Sequence, residues 1–134
     1  MKIVILSVND WANLGYTFSK CLNEVGLDAL ALTQCKISKY KDSAEMANTK
    51  FMKKKALEAD VIIFMHSKHI NLGMDFNNKK VFVFHGGSKY RHNSDKINKI
   101  FNPIVDKTII QTSDLLGLGA KDERWMLPPV DTKK

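Results

Sequence analysis

The chain has 134 residues, 44% of them hydrophobic and 26% charged, with a formal net charge of +7. This length fits one globular domain that buries roughly two thirds of its unfolded surface. No apolar run approaches the ~18 residues of a membrane-spanning helix. The opening MKIVILSVNDW reads as a strand rather than a leader, its apolar stretch being only Ile3 to Leu6, and Cys21 and Cys35 lack metal-ligand spacing and fit buried, inert thiols in a reduced cytoplasmic interior.

In chain order, Lys2 to Val8 is a short apolar strand. Leu14, Phe18, Cys21, Leu22 and Val25 follow at helical spacing and stop at Gly26. Asp28 to Thr33 is a second strand, and a weaker helix runs from about Ser43 to Glu58. Val61 to His66 and Val81 to His85 are the third and fourth strands. Asn93 or Ser94 caps a short helix carrying Ile97, Ile100 and Phe101, closed by Asn102-Pro103. Thr108 to Gln111 is a fifth strand, and Arg124 to Leu127 a short sixth before Pro128-Pro129.

Most of these strands are continuous apolar runs, as in a parallel sheet covered on both faces. Strand and helix alternate. The expected class is therefore α/β: one Rossmann-like three-layer domain over residues 1–134, with a mostly parallel sheet of about six strands. Ligands of such sheets bind beyond the carboxyl ends of the strands. Four polar groups fall there and should share one rim: Ser7 to Asp10, His66-Ser67, His85 to Ser88, and Thr112-Ser113.

His85 is the leading chemical candidate. At a strand end, a neutral imidazole can orient a hydroxyl or act as a general base. Gly86 and Gly87 permit close backbone approach, and the amides there with Ser88 can hold an anion; the alternative is a plain turn. His66 is open to two readings, ligand contact or core histidine, while His69 and His92 read as surface residues. Asn9, Asp10, Asn13 and Gly15 join the first strand to the first helix, where α/β proteins often meet phosphate. The loop is neither G-x-G-x-x-G nor a P-loop, which argues against a dehydrogenase or an NTPase. Asp10 can be a base or polar anchor there, or Asp10 or Asn13 can simply cap the helix. The histidines form no zinc motif, so no metal is expected.

Charge is uneven. Seven lysines stand against Asp42 and Glu45 between Lys36 and Lys55. Lys50, Lys53, Lys54 and Lys55, mixed with Phe51, Met52 and Leu57, suit a peripheral contact with anionic membrane or an anionic acceptor, or else a solvated face. Nucleic acid is the lesser option, since only Tyr40 and Phe51 are near for stacking.

Five landmarks in order resemble the N-terminal, acceptor-side domain of the GT-B glycosyltransferases, in the retaining, family-4-like group. They are ILSVNDWANLGYTFSKCLNEVGLDALALT; EADVIIFMHS, similar to ADVIHxHS; KVFVFHGGSKYR, similar to KVVxxHGSDxR; DKTIIQTSDLL, similar to DKVIVxTPDLL; and WMLPPVDT, similar to LPNPVDT. The resemblance implies transfer of a sugar from a nucleotide-sugar co-substrate to an acceptor hydroxyl, with no metal or other cofactor. It implies that Gly15 faces the donor pyrophosphate across a cleft, that His85 sits beside the reacting sugar as the catalytic residue, and that His66 and Ser88 line the acceptor side, with Thr112 on the same rim. The acceptor would be a sugar or lipid-linked molecule, and the location cytoplasmic, at most peripheral to the inner face of the membrane. The usual Gly-Gly of the first loop is reduced to Gly15. The family's C-terminal donor-binding domain follows LPNPVDT and is missing from these residues, so it would be supplied in cis or trans, and the chain alone is expected to be inactive. The rival reading is a non-catalytic Rossmann-like module that binds a sugar, nucleotide or protein. A receiver would want clustered acids beside Asp10, and a flavodoxin a Ser/Thr-rich loop; neither is present.

Overall fold

A computed structural model describes residues 1–35 and 40–126, without the side chain of Ser88. Lys36, the final Leu127 of the expected sixth strand, and all of the WMLPPVDT motif after Met126 lie outside the described residues.

Ten elements follow one another: β1 (Lys2–Ser7), α1 (Leu14–Glu24), β2 (Asp28–Thr33), β3 (Glu45–Met46), α2 (Thr49–Glu58), β4 (Val61–Phe64), β5 (Lys80–His85), α3 (Ser88–Phe101), β6 (Lys107–Ile110) and β7 (Glu123–Trp125), with 3-10 turns at Trp11–Asn13 and Ser113–Leu115. The strands form one sheet in the order β3-β2-β1-β4-β5-β6-β7. Every neighbouring pair is parallel. The fold is α/β and Rossmann-like, as the alternation of apolar runs and amphipathic stretches implies. The strand order reverses beside β1, between β2 and β4, which is where such sheets open a crevice.

Strand side chains alternate between two cores. Val4 and Leu6 of β1 enter one with Met52 and Ala56 of α2 and Tyr90, Ile97 and Phe101 of α3. Ile3 and Ile5 enter the other with Phe18 of α1, whose Leu14 and Leu22 pack alongside. The connection from β4 to β5 carries no helix. Ile70 and Leu72 are buried there, and Phe76 meets Phe64 edge-on at 6.2 Å, so an irregular segment supplies part of the layer.

Several expectations need correction. The sheet has seven strands, because residues expected in a helix from Ser43 instead form β3 against Leu32 and Thr33. Helix α2 then starts after Asn48, whose side chain accepts the Phe51 amide at 2.8 Å. The helical segment carrying Ile97, Ile100 and Phe101 does follow Asn93, but α3 already begins upstream at Ser88. Asn93 instead marks a kink (φ −130°, ψ 25°), with its Nδ2 donating to the Lys89 carbonyl at 3.0 Å. Strand β4 stops at Phe64, two residues before His66. His69 is half-buried, its ring 5.6 Å from Phe64 and 5.7 Å from Phe101, because the segment after β4 folds back on the core; His92 is exposed as expected. The cysteines are not both buried: Cys35 is exposed just beyond β2, and Cys21 is half-buried on the flank of α1.

No helix among the described residues is long and apolar enough to cross a membrane.

Candidate functional site

Because all strands are parallel, the β1–α1 loop, the 66–67 turn, the 85–88 turn and the segment after β6 lie at one carboxyl edge. Hydrogen bonds tie them together. Asp10, fully buried, accepts the Gly15 amide on Oδ1 at 2.6 Å and the Tyr16 amide on Oδ2 at 2.9 Å. It therefore caps α1 from five residues upstream. Asn13, although next to the helix, makes no cap; its Nδ2 donates to the Asp42 carbonyl at 2.9 Å. The carboxylate occupies the place where a phosphate would sit on a helix N-terminus, and the Gly15 N–H is already taken. A Cβ on Gly15 would approach Asp10 Oδ1 to 2.8 Å, so the glycine serves this close approach.

His66 Nε2 lies 3.2 Å from the same Oδ1. Its neighbour Ser67 has its Oγ 2.7 Å from His85 Nδ1. Both residues of this turn hold left-handed backbone (φ 61° and 60°), which costs on the order of 1–3 kcal/mol at each non-glycine position. The turn is fixed by the Ser67 amide donating to the Phe84 carbonyl at 3.1 Å and by Met65 pairing with Leu6 at 2.9 Å. Ala12 and Asn13 are left-handed too (φ 56° each), so four of the six left-handed non-glycine residues described lie at this edge, the others, Asn78 and Asp122, preceding β5 and β7.

His85 is fully buried. Its ring stacks on Tyr90 at 4.0 Å, with 8° between planes, and Tyr90 donates its hydroxyl to Asn98 Oδ1 at 3.2 Å. Burial lowers the His85 pKa to about 3, so the imidazole is neutral at physiological pH. Its Nε2 has no partner among the described residues. In this conformation the ring cannot touch a ligand; it braces Ser67 and, through it, the 66–67 turn. A continuous polar path thus runs from the start of α1 through Asp10, His66-Ser67, His85, Tyr90 and Asn98 into α3.

The other expected residues fall around this path. Asn9 is half-buried, Gly86 is half-buried against the Gln111 side chain, and Gly87 is exposed with φ 81° at the start of α3. Exposed Thr112 opens the turn after β6; its hydroxyl and Arg91 hold the Asp114 carboxyl below its usual range. The backbone of Ser88 begins α3, and its side chain lies outside the described residues. The lysines of α2 are elsewhere: Lys50 and Lys54 are exposed, Lys53 and Lys55 are half-buried, and Lys55 is 3.6 Å from Glu58 and over the Phe51 ring at 5.5 Å. No cluster among the described residues could hold a metal ion.

Neither tryptophan carries a signal in the sequence that marks it as part of the site. Trp11 is 66% exposed in the β1–α1 loop, and Trp125 is 57% exposed at the end of β7, where its Nε1 donates to the Gln111 carbonyl. Both therefore stand at the carboxyl edge. Tyr90 and Asn98 are unmarked as well, because a helix starting at Asn93 leaves Tyr90 in a loop.

The fold and this edge define a class: a Rossmann-like α/β domain whose polar groups, strained turns and exposed indoles share one side of the sheet. No protein-family model matches the chain, and neither curated proteins nor solved structures show a significant match.

Proposed function

We propose that residues 1–134 form the acceptor-binding half of a GT-B glycosyltransferase, which moves a sugar from a nucleotide-sugar to an acceptor hydroxyl when a donor-binding domain faces it. The observation that carries the reading is the exposure of both tryptophans at the carboxyl edge. Flat indole faces suit the apolar C–H faces of a sugar, and this edge offers two of them, Trp11 in the β1–α1 loop and Trp125 four strands away at the end of β7. The Asp10 carboxylate on the α1 N-terminus supports the acceptor side in particular, because it leaves no room for a pyrophosphate on the Gly15 amide. His85 acts in this reading as a positioning residue that holds the 66–67 turn, while His66, Gly86, Gly87 and Thr112 border the acceptor. The exposed Lys50 and Lys54, next to Leu57 at 55% exposure, form a peripheral contact with anionic membrane.

Release of nucleoside diphosphate tests the proposal. Residues 1–134 incubated with UDP- and GDP-hexoses and a panel of saccharide acceptors release none; fused to the donor-binding domain of a retaining GT-B enzyme, they release it only when acceptor is present. Transfer by the unfused chain would overturn the assignment. Saccharide binding with no transfer in any fusion would favour the rival, a non-catalytic sugar-binding module.

A further inference from the structure

Beside the path through His85 lies a cleft of about 350 Å³ lined by Lys68, His69, Lys89, Asn93, Lys96 and Ile97, with Ser67 and Ile100 at its margins. Three features distinguish it from an ordinary lysine-rich face. The first is placement. Lys89, Asn93 and Lys96 all reach the cleft from α3, on either side of and at its kink, and Lys68 comes directly after the strained 66–67 turn, so a turn and a helix bring their ammonium groups to one place. The second is charge. No carboxylate lines the cleft, and none of the three lysines makes an ion pair among the described residues. Asp114 pairs with Arg91, and Asp95 lines a separate groove with Asn98 and Lys99 rather than this cleft. The third is the helix itself. Asp10 caps α1, but α3 opens after Gly87 with no side-chain cap among the described residues and no acid in its first turn, so the unpaired amides there add positive potential where Lys89 stands.

We propose that this cleft binds the phosphate of a phosphorylated small molecule, a sugar or polyol phosphate, through Lys68, Lys89 and Lys96. Like charges held in one cleft repel each other, and a phosphate dianion relieves that repulsion while accepting several charge-assisted hydrogen bonds. Burial and the neighbouring Lys68 ammonium lower the Lys89 pKa, which agrees with an anion-ready site. Half-buried His69 is also lowered by burial and stays neutral, so it can accept or donate to the sugar portion. Identifying this phosphate compound with the sugar acceptor rests on the glycosyltransferase reading; the anion site itself does not.

Amide-resolved NMR titration of the full chain tests the site, with glucose 6-phosphate, glucose and inorganic phosphate as probes. Glucose 6-phosphate and inorganic phosphate should shift the amides of Ser67, Lys68, His69 and Lys89 and raise the Lys89 pKa, while glucose alone leaves them in place. The double variant K68Q/K89Q should weaken the sugar phosphate at least tenfold, on the order of one lost charge-assisted bond, and K50Q/K54Q on α2 should change nothing. Equal binding of glucose and glucose 6-phosphate, or shifts confined to α2, would overturn the proposal. Binding only to phosphatidylglycerol-containing vesicles, with no response to glucose 6-phosphate, would assign the cleft to a membrane surface and likewise overturn it. None of these readouts involves sugar transfer, so the transfer assay and this titration fail independently.

Discussion

Asp10 reaches across its loop to take the Gly15 amide at 2.6 Å, placing a buried negative charge on the first turn of α1. The same carboxylate lies 3.2 Å from His66 Nε2. One side chain thus closes a helix end and anchors the strained turn that leads to His85. Asp10→Ala should cost about 1–3 kcal/mol in urea denaturation, the range for stranding buried donors. It should also make the Gly15 and Tyr16 amides respond to added sulfate, whereas in the native chain, with both amides bonded to Asp10, they should not. A variant of native stability would mean that the cap carries no weight.

Gly15→Ala should act on the same contact. The added Cβ meets the Asp10 carboxylate, which is fully enclosed and has little room to move. A loss of about 1–3 kcal/mol is expected, and in the Asp10→Ala background the extra loss should largely vanish. Additive losses would separate the two residues.

The buried His85 makes stability depend on pH. Its pKa is about 3 in the fold and 6.5 in the unfolded chain. Between these values the unfolded state binds the extra proton, so the stabilisation from the neutral ring is complete above pH 6.5 and is lost progressively as pH falls toward 3. At pH 5 this histidine alone should lower stability by about 2 kcal/mol relative to pH 7. His85→Gln should flatten that slope. An unchanged slope would place the acid sensitivity elsewhere.

Tyr90 tests the bracing of His85. Tyr90→Phe keeps the stack and loses the hydroxyl donated to Asn98, at about 1 kcal/mol. Tyr90→Ala also removes a fully buried ring and should cost about 3–5 kcal/mol. It should broaden or shift the Ser67 and His66 amide resonances, because the histidine that holds their turn loses its support. An unperturbed turn in Tyr90→Ala would show that Ser67 is fixed by backbone bonds alone.

The sheet was legible in the sequence because burial on both faces writes itself as unbroken apolar runs, such as Ile3 to Leu6 and Val61 to Phe64. The rim followed from it, since every parallel strand delivers its last residues to the same edge. Element starts were less legible. Glu45 and Met46 are both exposed, so β3 carries no apolar signature and is set by pairing with Leu32 and Thr33. The helical residues from Ser88 onward were hidden because Gly86-Gly87 and the polar run through Asn93 resemble a loop. The roles of Asp10 and His85 depended on three-dimensional distances: no spacing rule says that Asp10 rather than Asn13 caps α1, or that the histidine closing β5 turns inward onto Tyr90. The tryptophans were visible as letters, but their exposure was not.

Tryptophan fluorescence and amide shifts, followed while the chain is titrated with saccharides and with UDP- and GDP-hexoses, probe the acceptor-side reading most directly. Saccharides should perturb Trp11 or Trp125 together with the amides of His66, Gly86 and Gly87, and Trp11→Ala should weaken this binding without lowering stability. Nucleotide-sugars should bind no tighter than about millimolar, near 4 kcal/mol in all, and leave Gly15 and Tyr16 unmoved. Tight nucleotide-sugar binding that shifts the Gly15 and Tyr16 amides, with no response of the tryptophans to any saccharide, would contradict that reading.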